Sequence, residues 1–120
     1  VSLTAGRRYE LEAFLAIIAV SGVGAQIRFN YTGTMTGVNT YTYIISSANT
    51  IVASTLRSAS TFNAGEGSIS NITNAGFFGK GHLNVATSGT LTLQGSQAVI
   101  SAVNTTFFDT GGFIKVTPII

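Results

Sequence analysis

The amino-acid sequence predicts an all-β protein: an antiparallel β-sandwich, or jelly roll, of about eight or nine short strands. Three observations favour this fold. Thr, Val, Ile, Phe and Tyr, which suit pleated sheets, are abundant throughout the chain. Apolar and polar residues alternate in short runs that end at turn residues. The apolar spacing of an amphipathic helix is not maintained over any stretch of about a dozen residues. Since 120 residues supply one core, residues 1–120 are predicted to form a single domain.

The first long strand is predicted at Arg8–Ile18, directly after a turn at Ala5 and Gly6. One face of this strand is apolar throughout and consists of Tyr9, Leu11, Ala13, Leu15 and Ile17. The other face begins with Glu10 and Glu12 and continues with Phe14, Ala16 and Ile18. We therefore expect the strand to start half-exposed and to end buried on both faces.

Further strands follow at short intervals between turn residues. They are predicted at residues 26–31, 40–45, 50–56, 68–72, 77–86, 90–94, 98–103 and 112–117. Residues 26–31 alternate strictly, with Ile27, Phe29 and Tyr31 on one face. The last strand follows a Phe-Phe-Asp-Thr-Gly-Gly turn at residues 107–112, so the C-terminus is expected to close the sandwich.

The composition bears on whether the domain associates with copies of itself, nucleic acids or membranes. The chain is 45% hydrophobic but only 8% charged, against about 25% charged in typical soluble proteins. Because mixed surface charge keeps small domains apart, we infer that identical copies cover much of the surface. The net charge of +2 comes from scattered groups, which disfavours nucleic-acid binding. The apolar run 13–20 is far shorter than a membrane span of about 20 residues, so no membrane insertion is expected.

The residues that carry catalysis or bind metals are sparse. Asp109, Thr110 and Gly111 form the tripeptide of aspartic proteases, but it lies so near the end of the chain that a tight turn is the better interpretation. His82 is the only histidine and there is no cysteine, so a solvated strand histidine is favoured over a metal ligand. We expect no catalytic residues, no metal, no cofactor and no enzymatic activity.

Four residues are candidates for contact with a ligand or partner: Asn30, Tyr31, Tyr41 and Tyr43. Tyrosine rings can stack on sugar rings, and aromatic residues on loops of β-sandwiches often serve in recognition. Tyr41 and Tyr43 also share one strand face, which is equally typical of ordinary cross-strand packing. Both interpretations remain open on the sequence alone.

Three short segments form a recognisable set: residues 3–11 (Leu-Thr-Ala-Gly-Arg-Arg-Tyr-Glu-Leu), 88–94 (Ser-Gly-Thr-Leu-Thr-Leu-Gln) and 106–116, which bring a Phe, a Gly pair and an apolar strand. Together they resemble the C-terminal knobs of bacteriophage virion fibres and decoration proteins, which have a TNF/C1q-like jelly roll. The resemblance implies a non-enzymatic homotrimer at the virion surface, in contact with other virion proteins. It would decorate or cement the capsid, or form the tip of a head or tail fibre. The alternative is a tail-fibre adhesin that binds a host glycan.

The terminal segments also suggest where copies meet. The strands at both ends are too apolar for a free monomer with so few charges, so they are expected to form shared surfaces as well as the core. The residues predicted for the trimer interface are Tyr9, Leu11, Leu91, Leu93 and Phe113.

Overall fold

The computed structural model describes residues 1–18, 25–62, 67–69, 74–96, 107–108 and 112–119. Within these ranges the chain forms strands and turns without a helix. The ten strands are β1 (Ser2–Leu3), β2 (Arg8–Ile18), β3 (Ala25–Tyr31), β4 (Met35–Ser46), β5 (Ile51–Ala59), β6 (Gly67–Ile69), β7 (Asn74–Val85), β8 (Gly89–Ser96), β9 (Phe107–Phe108) and β10 (Phe113–Ile119).

The strands form two antiparallel sheets that pack as a sandwich. The small sheet has the order β1-β8-β3-β6, and the large sheet has the order β10-β2-β7-β4-β5, with β9 also paired to β2. Successive strands repeatedly change sheet, from β1 to β2, from β2 to β3 and from β7 to β8. This alternation is typical of jelly-roll connectivity. The prediction of an all-β antiparallel sandwich is confirmed.

Strand β2 begins after a turn in which Gly6 has a positive φ of 74°, a conformation that costs glycine little. It then pairs with β7 from Arg8 to Ile18 on one side. On its other side, β10 pairs with it over seven residues, from Phe113 opposite Phe14 to Ile119 opposite Arg8. The C-terminal strand therefore closes one edge of the large sheet, as predicted.

The core lies between the two sheets and takes alternate residues from each strand. Strand β2 contributes its predicted apolar face, and β3 contributes Ile27 and Phe29, which are almost fully buried. The other buried apolar residues include Leu3, Val38, Ile44, Phe77, Leu83, Val85 and Leu91. At about 25 cal/mol per Å² of buried apolar surface, this cluster supplies the main stabilisation of the fold.

The second face of β2 behaves differently from its prediction. Phe14 and Ala16 are only half-buried and Ile18 is 49% exposed, so the expectation that β2 ends buried on both faces is wrong. The physical reason is that these residues belong to the outer face of the large sheet, and the small sheet packs against the opposite face.

Three of the predicted trimer contacts are also corrected. Tyr9, Leu11 and Leu91 are 5%, 1% and 0% exposed within a single chain. All three pack in the sandwich core, and none exposes more than 5% of its surface. Leu93 is half-buried and Phe113 is 50% exposed, so these two remain available.

The predicted strands agree closely with those observed, with extensions at several ends. Strand β4 starts five residues before the predicted segment 40–45, and β7 starts three residues before 77–86. The predicted strand 98–103 and residues 109–111 of the predicted turn lie outside the described residues. Phe107 and Phe108, which were expected within that turn, form strand β9 instead.

Candidate functional site

A row of four aromatic residues crosses the outer face of the large sheet. The strand registers place Phe113 beside Phe14, Phe14 beside Phe78, and Phe78 beside Tyr43. Each residue comes from a different strand, in the order β10, β2, β7 and β4. We call these four residues the aromatic row.

The rings of the aromatic row contact one another along its length. Ring centroids are 6.2 Å apart for Phe113 and Phe14, 5.0 Å for Phe14 and Phe78, and 5.2 Å for Phe78 and Tyr43. Tyr41 extends the contact, with its ring centroid 5.6 Å from that of Tyr43. Such pairs contribute about 0.5–1.5 kcal/mol each beyond area burial, so the row is an ordered surface.

Further apolar residues are exposed on β5, although the residue opposite Tyr43 on that strand is Ser54. Leu56 is 81% exposed and follows Tyr41 in the register of β4 and β5. Ile51 and Val52, also exposed, lie at the start of β5, where a bulge occurs opposite Ile44 and Ile45. An extended exposed apolar surface on a small domain marks a site of interaction with another molecule.

The other half of this outer face is charged. Lys115, Glu12 and Lys80 stand beside one another on β10, β2 and β7, which alternates the sign of charge across the sheet. In the next row, His82 Nε2 lies 3.8 Å from Glu10 Oε1, and both side chains are well exposed. The face is therefore amphipathic along its strands, with the aromatic row at one end and charge at the other.

An apolar groove lies at the edge of the sandwich, where β10 and β8 approach each other. Its volume is about 380 Å³, and Phe113 lines it as well as ending the aromatic row. The apolar lining consists of Val1, Leu15, Leu91, Leu93, Phe113 and Ile114. The structure thus brings together Leu93 and Phe113, which the sequence analysis proposed for the trimer interface. We call this feature the edge groove.

The outer face of the small sheet has a different chemistry. It presents amides and hydroxyls from β3 and β8, together with the guanidinium of Arg28. Arg28 Nε donates a hydrogen bond to Gln94 Oε1 at 2.7 Å. Two open depressions, of about 340 and 480 Å³, lie beside Arg28. We call this the polar face.

The four predicted ligand-contact residues do not form one site. Asn30 and Tyr31 lie on β3 of the small sheet, whereas Tyr41 and Tyr43 lie on β4 of the large sheet. All four are strand residues, in agreement with the strands predicted at residues 26–31 and 40–45, and none lies on a loop. The prediction that Tyr41 and Tyr43 share a strand face is confirmed by their ring contact.

Tyr31 is held in place at the end of β3. Its hydroxyl donates a hydrogen bond to the Thr87 carbonyl at 2.8 Å. Burial of the hydroxyl, followed by repulsion from Tyr9, raises the pKa of Tyr31 above 10.0. The side chain therefore keeps its proton, and this hydrogen-bond donor, at neutral pH.

Within the described ranges, no three side chains of His, Asp or Glu converge as metal ligands. The same ranges contain no helix long and apolar enough to cross a bilayer. No family model, curated protein or solved structure matches this chain.

Sequence reasoning missed Phe14 and Phe78 as surface residues and Arg28 as the centre of a polar face. The signal for Phe78 is the pair Phe77-Phe78 within a strand, since period-2 alternation forces one of them onto each face. The signal for Arg28 is its place between Gln26 and Asn30, where no other charge shares the alternate positions of β3.

Proposed function

We propose that this chain is a non-enzymatic structural domain that assembles into a cyclic homotrimer at the surface of a bacteriophage virion. The observation that carries the proposal is that the aromatic row and the edge groove adjoin at Phe113, which belongs to both. Both surfaces are apolar, and both are accessible in a single chain.

The two surfaces differ in kind, and this favours a ring. The aromatic row occupies a sheet face, whereas the edge groove lies where β10 and β8 meet. A contact between unlike surfaces is heterologous, and heterologous contacts close into cyclic assemblies when the rotation allows. If the aromatic row of one copy packs against the edge groove of the next, a single repeated contact covers both surfaces.

The charge content supports assembly as well. With four acidic and six basic residues in 120, a free monomer would have weak electrostatic protection against association. Burying the aromatic row against a neighbour removes exposed apolar surface from water. The alternating charges of Lys115, Glu12 and Lys80 provide polar contacts beside it.

The virion role rests on the resemblance of residues 3–11, 88–94 and 106–116 to phage fibre knobs and decoration proteins. A domain built for packing against copies and against other virion proteins suits either a capsid decoration or a fibre tip. Quantitative mass spectrometry of purified virions distinguishes the two. Hundreds of copies per particle support capsid decoration, tens support a fibre, and absence from the particle contradicts a virion role.

The assembly is tested by light scattering and sedimentation at micromolar concentration. We expect a trimer for the wild type and dissociation for Phe113→Thr and for Leu93→Thr, because each removes apolar contact from the edge groove. Arg28→Gln lies on the polar face and serves as the control, with the trimer retained. A stable wild-type monomer at this concentration contradicts the proposal.

A second candidate function is recognition of a host glycan, and the polar face favours it. Its amide and hydroxyl side chains match the hydrogen-bonding groups of sugars, and a depression of about 480 Å³ lies beside Arg28, lined by Gln26, Gln94 and Ser96. Binding of purified protein to host cells, and inhibition of phage adsorption by it, test this function. Failure of both removes it.

A further inference from the structure

We propose that the polar face binds a saccharide that carries a carboxylate, and that Arg28 is the residue that recognises the anion. This inference rests on the second candidate function, glycan recognition, and not on trimer assembly. It assigns the ligand class and the residue that selects it.

The chemistry of the polar face is uniform except at one position. Its described residues on β3 and β8 carry amide or hydroxyl side chains, apart from Arg28. They are Gln26, Arg28, Asn30, Thr90, Thr92, Gln94 and Ser96. Neutral amides and hydroxyls bond sugar hydroxyls as donors and acceptors. A single cation among them adds preference for one negative charge.

Arg28 is oriented before any ligand arrives. Its Nε donates to Gln94 Oε1 at 2.7 Å, across the pair of β3 and β8. A guanidinium has five N–H donors, so this bond leaves four for a ligand. The two terminal nitrogens form the planar fork that binds a carboxylate in a bidentate way. The Gln94 amide group adds two more N–H donors beside it.

The shape of the polar face suits an extended ligand. One depression is lined by Gln26, Gln94 and Ser96 on the polar face, and the other by Asn30 together with Phe29, Met35 and Phe62 from the core side of β3. Arg28 is the one residue that lines both. A saccharide with its acidic group at Arg28 would therefore place a neighbouring sugar against Gln26, Gln94 and Ser96.

A polar face with a single cation does not suit nucleic acids or anionic membranes. Nucleic acids and anionic membranes are bound by several Lys or Arg residues along a surface, because each contact neutralises one phosphate. On the described part of the polar face, Arg28 stands alone. The arrangement matches a ligand of low charge density with many hydroxyl groups.

The test compares two hexasaccharides by calorimetry and by backbone amide NMR on the full chain. The acidic probe is a galacturonic acid hexamer and the neutral probe is maltohexaose. We expect the acidic probe to shift amides of β3 and β8 and to bind at least about tenfold more tightly than the neutral one, as charge-assisted hydrogen bonds contribute. Arg28→Gln should abolish this preference, and Arg28→Lys should retain part of it, because an ammonium cannot form the fork.

Lys80→Gln is the matched control, since it removes one positive charge from the opposite outer face. It should leave binding of the acidic probe within about twofold of wild type, because exposed charges this far apart are screened. An equal loss in Lys80→Gln and Arg28→Gln overturns the assignment. Equal binding of both probes, unaffected by Arg28→Gln, overturns the role of Arg28 while leaving glycan recognition intact. Binding of neither probe overturns the ligand class, and adsorption assays then decide whether glycan recognition itself stands.

Discussion

The rings of Tyr43 and Phe78 stack across β4 and β7, with centroids 5.2 Å apart and planes 16° from parallel. The residue before Phe78 has the opposite environment. Phe77 is fully buried and its ring lies 6.0 Å from that of Phe29 in the core. Of these two adjacent phenylalanines, Phe77 therefore packs in the core and Phe78 belongs to the outer face of the large sheet.

This separation predicts different effects of the same substitution at adjacent positions. Phe77→Ala should lower the free energy of unfolding by about 3–5 kcal/mol, because it leaves a cavity in the core. Phe78→Ala should cost far less stability but weaken self-association, because it interrupts the aromatic row. Chemical unfolding and sedimentation at one fixed protein concentration measure the two effects, since association itself shifts apparent stability. Equal loss of association in both variants, with both still folded, would argue against the aromatic row as the contact.

The sequence was sufficient for the strands and for the core side of most of them. Alternation in Arg8–Ile18 identified Tyr9, Leu11 and Ala13 as one apolar face, and all three are buried. Periodicity reports which residues share a face, but not which face another sheet covers. For that reason the apolar face of Phe14, Ala16 and Ile18 was assigned to the core although it lies outside.

The candidate surfaces were harder to predict because they depend on register between distant strands. The aromatic row joins residues from positions 14 to 113, and only the pairing of β10, β2, β7 and β4 aligns them. The same holds for Arg28, whose partner Gln94 lies 66 residues away. Leu93 and Phe113 were selected for apolar character alone, whereas the structure adds that they line one groove.

Gly81 is required because β4 and β7 approach closely at that position. A Cβ on Gly81 would contact the Asn39 carbonyl oxygen and lie 2.7 Å from Thr40 Cα, so the clash is with backbone. We expect Gly81→Ala to destabilise the fold by about 1–3 kcal/mol, as overpacking does. Gly79→Ala is the matched control. The nearest atoms to its Cβ would be side-chain carbons, those of Phe29 and Thr42 at 3.3 Å and that of Ala13 at 3.7 Å. Guanidinium unfolding should give the larger loss for Gly81→Ala, and the reverse order would contradict this account.

Thr40 has a buried hydroxyl that makes no hydrogen bond to any described part of the chain. The residue is 2% exposed, and its Oγ1 has no partner among the described residues. Thr40→Val keeps the shape and removes the unpaired polar atom, so we expect it to stabilise the fold by about 1 kcal/mol. Thr42, two residues along on the same face, is also buried but takes part in a polar interaction. Thr42→Val should therefore destabilise by about 1–2 kcal/mol. Thermal melts of the two variants should move in opposite directions, and a lower melting temperature for Thr40→Val would be inconsistent with an unpaired hydroxyl.

Tyr31 should make stability depend on pH in the alkaline range. Burial of its hydroxyl, and then repulsion from Tyr9, raise its pKa above 10.0 in the folded chain, so the folded state holds this proton more tightly than the unfolded state. Its contribution is fully present below about pH 10 and is lost as pH rises through the higher folded pKa. Tyr31→Phe should be less stable at neutral pH, because the hydrogen bond to Thr87 is absent. The difference in unfolding free energy between wild type and Tyr31→Phe should shrink as pH increases above 10, and a difference that stays constant or grows there would show that the phenol is not protected by the fold.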